Sequence, residues 1–260
     1  AAIDSYEQAL KIKPDYALAY NNMGNVFYKQ GDLGAAINHY RQALKINPNY
    51  IEAYTNMGLA QQEKGDLVAA LDSHNQALEI KPDYAYACYN AGNTLKEQGD
   101  IAGALDSYRR ALKINPDYAL AHNNMGNALQ EKGDLGAAID SYRYAIKIEP
   151  NYVEAYTNMG IVQQKQGDLA EAIGNYQKAL KIKPNYAEGH SNMGNALKEK
   201  GDLEGAMGSY QQALNIKPDY ALAYNNMGNA LKDTGAFRAA LDNYKKAIKI
   251  KPDFADAYYN

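Results

Sequence analysis

Apolar residues recur along this chain at helical spacing, and no long apolar run occurs. From Ala17, ALAYNNMGNVFYKQ places apolar or small residues three and four apart, and LGAAINHYRQALKI does the same from Leu33. Each stretch predicts an amphipathic helix with one stripe turned to a core. The two-stretch pattern returns every 34 residues, and the eight prolines, at 14, 48, 82, 116, 150, 184, 218 and 252, keep that period. A fixed period of this length predicts an array of small units in place of an ordinary globular domain.

With proline numbered as position 32, seven full repeats run 17–50, 51–84, 85–118, 119–152, 153–186, 187–220 and 221–254. Partial units, 1–16 and 255–260, flank them, and the expected organisation is one array over 1–260. Position 15 is always Gly (Gly31 to Gly235), suited to the left-handed residue that ends a helix. Asp follows in six of the seven, Ala236 being the exception, and is placed to cap the next helix. Asn49 with Glu52, Asn151 with Glu154 and Asn185 with Glu188 have capping-box spacing after the proline. Each repeat is therefore expected to read helix A, tight turn, helix B, tight turn.

At ~100° per residue, helix A positions 3, 4, 7, 8, 10 and 11 share one arc. In the first repeat these are Ala19, Tyr20, Met23, Gly24, Val26 and Phe27, so this face is expected to pack. Position 8 is Gly in every repeat. Gly costs ~1 kcal/mol in a helix relative to Ala, so its recurrence predicts a close backbone approach between helices A and B. Helix B offers a matching stripe of Leu33, Ala36, Ile37, Tyr40, Ala43, Leu44 and Ile46. Gln61 and Gln163 stand at position 11, where Phe or Leu otherwise sits, and the pattern gives no reason for them. They belong to two closely similar stretches 102 residues apart, Ile51–Asp66 and Val153–Asp168, so three repeats form a higher unit.

Tyr20, Met23, Gly24, Phe27, Ala36, Tyr40, Ala43 and Pro48 resemble the pattern of the tetratricopeptide repeat (TPR) family, and the resemblance spans the chain. The Trp that the family usually carries at position 4 is replaced by Tyr, His122, His190 or Cys88. The resemblance implies an all-α fold: a right-handed superhelix, or α-solenoid, of antiparallel helix pairs with helix A lining a concave groove.

Opposite the packed arc of helix A lie positions 2, 5, 6, 9, 12 and 13. Position 6 is Asn throughout: Asn22, Asn56, Asn90, Asn124, Asn158, Asn192 and Asn226, with Asn260 in the final stub. Position 9 adds Asn25, Asn93, Asn127, Asn195 and Asn229, while Leu59 and Ile161 replace it in the two similar repeats. Asn is a poor helix former, so propensity does not explain the choice. A primary amide offers donors and an acceptor, and can hold the N–H and C=O of a peptide unit without reading its side chain. The ladder thus points to binding of an extended or disordered polypeptide segment. The alternative is that repeats were copied and the amides bridge neighbouring helices or water. The spacing resembles the asparagine-lined TPR superhelix of O-linked N-acetylglucosamine transferases and SPINDLY-type fucosyltransferases. That likeness implies the substrate-recognition arm of a glycosyltransferase, with the ladder holding substrate polypeptide.

The same face lacks the Lys and Arg that chaperone-binding TPRs use to grip a terminal carboxylate. Glu63, Glu97, Glu131, Glu199 and Asp233 at position 13 make it mildly acidic, which favours a neutral or slightly basic ligand. Tyr28, Tyr86 and Tyr89 are candidates for local aromatic contacts.

Composition narrows the functional classes. A net charge of −3 leaves no basic excess for a nucleic-acid backbone. No run approaches the ~20 apolar residues that span a bilayer, so no membrane role is expected, and the expected location is cytoplasmic. Cys88 is the single cysteine and makes no internal disulfide. Asp72-Ser73-His74 imitates a catalytic triad, but neighbours on a helix point ~100° apart, and His74 takes a core position held elsewhere by Tyr. The four histidines have no ligand spacing, so no enzyme activity, catalytic residue, metal or cofactor is expected. The chain opens within helix B and closes within helix A, with no polar capping helix at either end. This arrangement raises a second expectation, a structural spacer that self-associates end to end.

Overall fold

A computed structural model describes residues 2–260, and among them the regular structure is helical. The helices form two compact units, residues 1–132 and 133–260. The first holds α1 (Ala2–Ile12), α2 (Ala17–Lys29), α3 (Leu33–Ile46), α4 (Ile51–Glu63), α5 (Leu67–Ile80), α6 (Ala85–Glu97), α7 (Ile101–Ile114) and α8 (Ala119–Lys132). The second holds α9 (Leu135–Ile148), α10 (Val153–Gln166), α11 (Leu169–Ile182), α12 (Ala187–Glu199), α13 (Leu203–Ile216), α14 (Ala221–Asp233), α15 (Phe237–Ile250) and α16 (Ala255–Tyr259). Even-numbered helices are helix A and odd-numbered ones helix B. Within each unit every helix B packs on the helix A before it and on the one after it, as in a TPR α-solenoid of antiparallel pairs.

The turn between A and B is set by glycine. All seven position-15 glycines have φ between 81° and 89°, and among the described residues no other residue type takes positive φ. Helix B is then capped by Asp. Asp32 accepts from Ala35 N at 2.9 Å, and Asp66, Asp100, Asp134 and Asp202 make the same bond to the residue three places on. Asp168 is the exception and makes no such bond. The expected capping boxes at helix A do not form. Helix A begins one residue later, with Tyr50, Tyr152 or Tyr186 at its N-cap and no side-chain bond there. The turn is held instead by backbone bonds such as Tyr50 N to Asn47 O.

The core of each unit is built of alanines, apolar side chains and rings. Tyr40, Tyr108, Tyr142, Tyr176 and Tyr210, all at position 24, are at most 1% exposed. The position-8 glycine is where that ring lies. A Cβ on Gly194 or Gly228 would fall 2.5 Å from Cε1 of Tyr210 or Tyr244. The close approach predicted from the glycines is thus real, but what approaches is a tyrosine ring and not backbone.

Gln61 and Gln163 find their reason here. Position 11 of helix A faces position 23 of helix B, and Phe27 stacks on His39 with ring centres 5.0 Å apart. In the two similar repeats the amides of buried Gln61 and Gln163 instead meet Ser73 Oγ and Asn175 Nδ2, each at 2.6 Å. Position 23 is polar in every repeat, so a glutamine at position 11 finds a partner there.

His74 is fully buried in the tyrosine position, and neither ring nitrogen has a partner. Ser73 bonds to Gln61 and Asp72 is exposed, so the three neighbours form no relay. Burial pushes the His74 imidazole down from its ordinary 6.5 to about 4.

Two predictions follow from this core. Gly194→Ala should destabilise the protein by about 1–3 kcal/mol through overpacking against Tyr210, despite the better helix former. Gly174→Ala, on a helix with nothing within 4 Å of the added Cβ, should stabilise by about 0.5–1 kcal/mol. Urea denaturation of the two variants checks both signs. For His74, the unfolded chain binds the proton more readily than the folded one between pH 6.5 and about 4. Stability should therefore fall as pH drops through that window, by about 3 kcal/mol from this group. Denaturation at pH 7 and pH 4.5 should show this contribution disappearing in His74→Phe; an unchanged pH slope would refute it.

Candidate functional site

The candidate asparagines all lie on helix A, and burial divides that face differently from the helical wheel. Position 5, expected on the open face, is buried at Asn21, Thr55, Asn123, Thr157, Ser191 and Asn225. The reason is the next repeat: consecutive helices A touch within each unit, and position 5 lies under that contact. Positions 6 and 9 are half-buried at Asn22, Asn25, Asn56, Asn93, Asn124, Asn127, Asn158, Asn192, Asn195, Asn226 and Asn229. Asn90 is the exception at 2% exposed.

A chain of hydrogen bonds orients these amides. The hydroxyl of the core tyrosine donates to Oδ1 at position 9 of its own repeat. Tyr40 to Asn25, Tyr108 to Asn93, Tyr210 to Asn195 and Tyr244 to Asn229 are each 2.8 Å. The same Oδ1 accepts from position 6 of the following repeat: Asn56 Nδ2 to Asn25 at 3.1 Å, Asn124 to Asn93 at 2.9 Å and Asn226 to Asn195 at 3.0 Å. Asn56 also reaches Asn21 Oδ1 at 3.2 Å, and Asn124 reaches the Tyr89 hydroxyl at 3.0 Å. Burial holds the Tyr40, Tyr108 and Tyr210 hydroxyls well above the usual phenol range, so they remain donors.

This wiring decides what the face shows to solvent. Both lone pairs of Oδ1 are taken at Asn25, Asn93 and Asn195, which turns their Nδ2 donors outward, and Asn229 Oδ1 accepts from Tyr244. At position 6 the nitrogen is turned inward, which leaves Oδ1 of Asn56 and Asn226 as an acceptor. None of these outward atoms is buried. Asn93, Asn124 and Asn127, with Lys96 and Glu97, line a depression of about 270 Å³ on this face of the first unit.

A second row runs along the end of helix A. Position 12 of one repeat pairs with the position-13 acid of the next. Gln62 donates to Glu97 at 2.8 Å, Lys96 to Glu131 at 2.8 Å, Gln164 to Glu199 at 2.6 Å and Lys198 to Asp233 at 3.1 Å. Tyr28 takes the same place, and burial, followed by its bond to Glu63, raises its hydroxyl to about 12. The acids read as a surface field are therefore partly spent on their neighbours. Of the aromatic candidates, Tyr86 is exposed, whereas Tyr89 packs 5.0 Å from the ring of Tyr118.

Position 4 is structural where it departs from Tyr. His122 and His190 place Nε2 2.9 Å and 3.0 Å from the carbonyls of Pro116 and Pro184 in the preceding turn. The Tyr–Asn bond was not anticipated, although a signal existed. The one repeat with His at position 24 carries Leu59 at position 9, and where Ile161 stands at position 9 the Tyr176 hydroxyl turns to Gln164 Oε1 at 3.0 Å.

No helix among the described residues is long and apolar enough to cross a membrane. No curated protein sequence matches the chain. Among solved structures it is similar to MamA protein at 27% identity, covering 66% of this chain and 94% of that one, with a TM-score of 0.57. It is similar to PilF of Pseudomonas aeruginosa at 20% identity, covering 80% and 95%, with a TM-score of 0.70. A third likeness is to YrrB, described as a TPR protein with an unusual peptide-binding site, at 24% identity, covering 73% and 97%, with a TM-score of 0.59. Repeats and neighbours together support a protein-interaction scaffold. The TPR repeat profile matches residues 1–31, 24–65, 92–133, 126–167, 165–201, 194–235 and 228–260, and a second tetratricopeptide repeat profile matches 51–84. The chain belongs to the tetratricopeptide repeat family.

Proposed function

We propose that the helix A face binds an extended polypeptide segment through its backbone. The observation that carries this reading is the fixed orientation of the amides. Position 9 presents N–H donors and position 6 presents C=O acceptors, the complement of a peptide unit. Because tyrosine and neighbouring asparagine bonds hold Asn25, Asn56, Asn93, Asn124, Asn195 and Asn226 in place, little side-chain entropy is lost on binding there. The ligand is neutral or slightly basic, since Glu52, Glu154 and Glu188 are exposed at position 2 of the same helices. In its narrowest form, by an asparagine spacing that resembles that of O-GlcNAc transferases, the array recruits substrate polypeptide for a glycosyltransferase.

A second reading rests on a different surface. Phe237, Leu241 and Tyr258, each more than half exposed, border an apolar groove of about 410 Å³ between α15 and α16. A patch of this kind suits a helix of a second copy, as in an end-to-end spacer.

The test of the first reading starts with selection of 15-residue peptides from a random display library against the whole chain. The selected peptide, fluorescein-labelled, is then titrated against the N25D/N93D/N195D/N229D variant. Asp keeps the acceptor for the tyrosine hydroxyl and removes the outward donor. Affinity should fall at least about tenfold with unchanged helicity. An N38D/N75D/N151D/N215D variant, altered at exposed positions, controls for charge and should bind like the wild type. Failure to select any peptide, or equal affinity of the two variants, would sink the reading. Sedimentation over a hundredfold concentration range checks the second: self-association lost in Phe237→Ser supports it, and a monomer throughout removes it.

A further inference from the structure

In the second unit a groove of about 500 Å³ runs between two helices B, α13 and α15. Met227 and Leu231 of α14 floor it, and Met207 of α13 flanks them. Met227 and Leu231 belong to the packed arc of α14, opposite Asn226 and Asn229, so this groove is separate from the asparagine face.

The α13 wall is open because an ion pair found on other helices B is missing. In α7 and α9 an Arg at position 25 closes on an Asp at position 22, Arg109 to Asp106 at 2.8 Å and Arg143 to Asp140 at 3.1 Å. In α13 the same places hold Gly208 and Gln211, both lining the groove. A Cβ on Gly208 would meet nothing within 4 Å, so no neighbour fills the vacated space. Gln211 turns its Nε2 along its own helix to Asn215 Oδ1, 3.0 Å away.

The α15 wall is basic. In and just after α15 stand five cations, Arg238, Lys245, Lys246, Lys249 and Lys251, against two acids, Asp242 and Asp253, in a chain of net charge −3. All five are exposed, and among the described residues none of them makes an ion pair. Lys246 lines the groove, its ammonium 5.4 Å from the ring centre of Tyr224. Lys249, three residues on, shares that helix face. Asn243 donates Nδ2 to Ala239 O at 2.9 Å, which leaves its Oδ1 as an acceptor at the rim. α11 has the same open pair, Gly174 and Gln177, but α13 carries Gln212 and Asn215 where α15 carries Lys246 and Lys249. Open wall and cationic wall thus meet between α13 and α15.

We infer that this groove docks an acidic polypeptide segment, with one apolar side chain against Met207 and Leu231 and carboxylates on Lys246 and Lys249. Charge complementarity selects that occupant. The apolar floor supplies holding energy, and its size is that of a side-chain or small-ligand pocket. The unpaired ammonium groups steer the segment and fix its orientation. The asparagine face favours a neutral or slightly basic ligand, so the two faces take partners of different charge.

The test selects 15-residue peptides from a random display library on the whole chain, with counter-selection on G208D/Q211R. That variant restores the ion pair of α7 and α9 and narrows the groove mouth. Survivors should be rich in Asp and Glu around a Leu, Met or Phe. One survivor, fluorescein-labelled, should lose at least about tenfold in Kd on G208D/Q211R and on K246E/K249E. The same change one helix B earlier, G174D/Q177R, should leave Kd unchanged. So should N25D/N93D/N195D/N229D, which separates this site from the asparagine face: either can fail while the other stands. No survivor of the counter-selection, or a survivor that binds K246E/K249E like the wild type, would overturn the inference. Binding to phosphatidylserine vesicles that G208D/Q211R abolishes, with no peptide surviving, would overturn it in favour of a lipid surface.

Discussion

The tyrosine of helix B is the contact on which the rest depends. Its ring lies on the position-8 glycine and so sets how closely A and B approach, and its hydroxyl donates to the position-9 asparagine. One side chain thus fixes the spacing of the pair and the orientation of an amide on the opposite face of helix A. A larger residue at position 8 would push the ring away and release the asparagine with it. Two features that look independent in the sequence, an unfavourable glycine and an unfavourable asparagine one residue later, serve the same ring.

The fold was legible because periodicity needs no knowledge of partners. Prolines gave the register, glycines gave the turns at φ near +85°, and the apolar stripes gave the pairing. Five of the six aspartates cap helix B as their spacing predicts, Asp168 being the exception. The capping boxes failed because the turn after proline closes by backbone bonds, which leave Asn49 no helix terminus to cap. Position 5 was misplaced for a different reason. A helical wheel treats a helix as having one buried face, whereas helix A is also pressed by the next helix A, and a single helix carries no sign of that neighbour.

The candidate face was legible as composition but not as chemistry. Sequence showed that Asn25, Asn56, Asn93 and Asn124 share a face. It did not show which end of each amide is turned inward, because that depends on bonds between residues 15 and 31 apart. Gln61 is the converse case. Alone it looks like a flaw in an apolar stripe, and only the approach of Ser73 from helix B makes it a matched pair.

Copying and binding are often opposed as explanations for a repeated polar residue, and here the opposition dissolves at the level of atoms. Each amide has two ends. The inner end of Asn25, Asn93 or Asn195 is used between helices and between repeats, which gives selection on stability a reason to keep it. The outer end is left over, already aligned, and polarised by the bonds on the inner end. A ligand that engages position 9 of one repeat and position 6 of the next spans a boundary between repeats, so it favours the state in which that boundary is closed. If the face binds as proposed, binding and array stability are linked, each raising the other by the same free energy. Such linkage requires the amides to be shared. A groove whose asparagines made no bond to the scaffold could hold a peptide, but it would not be stiffened by it.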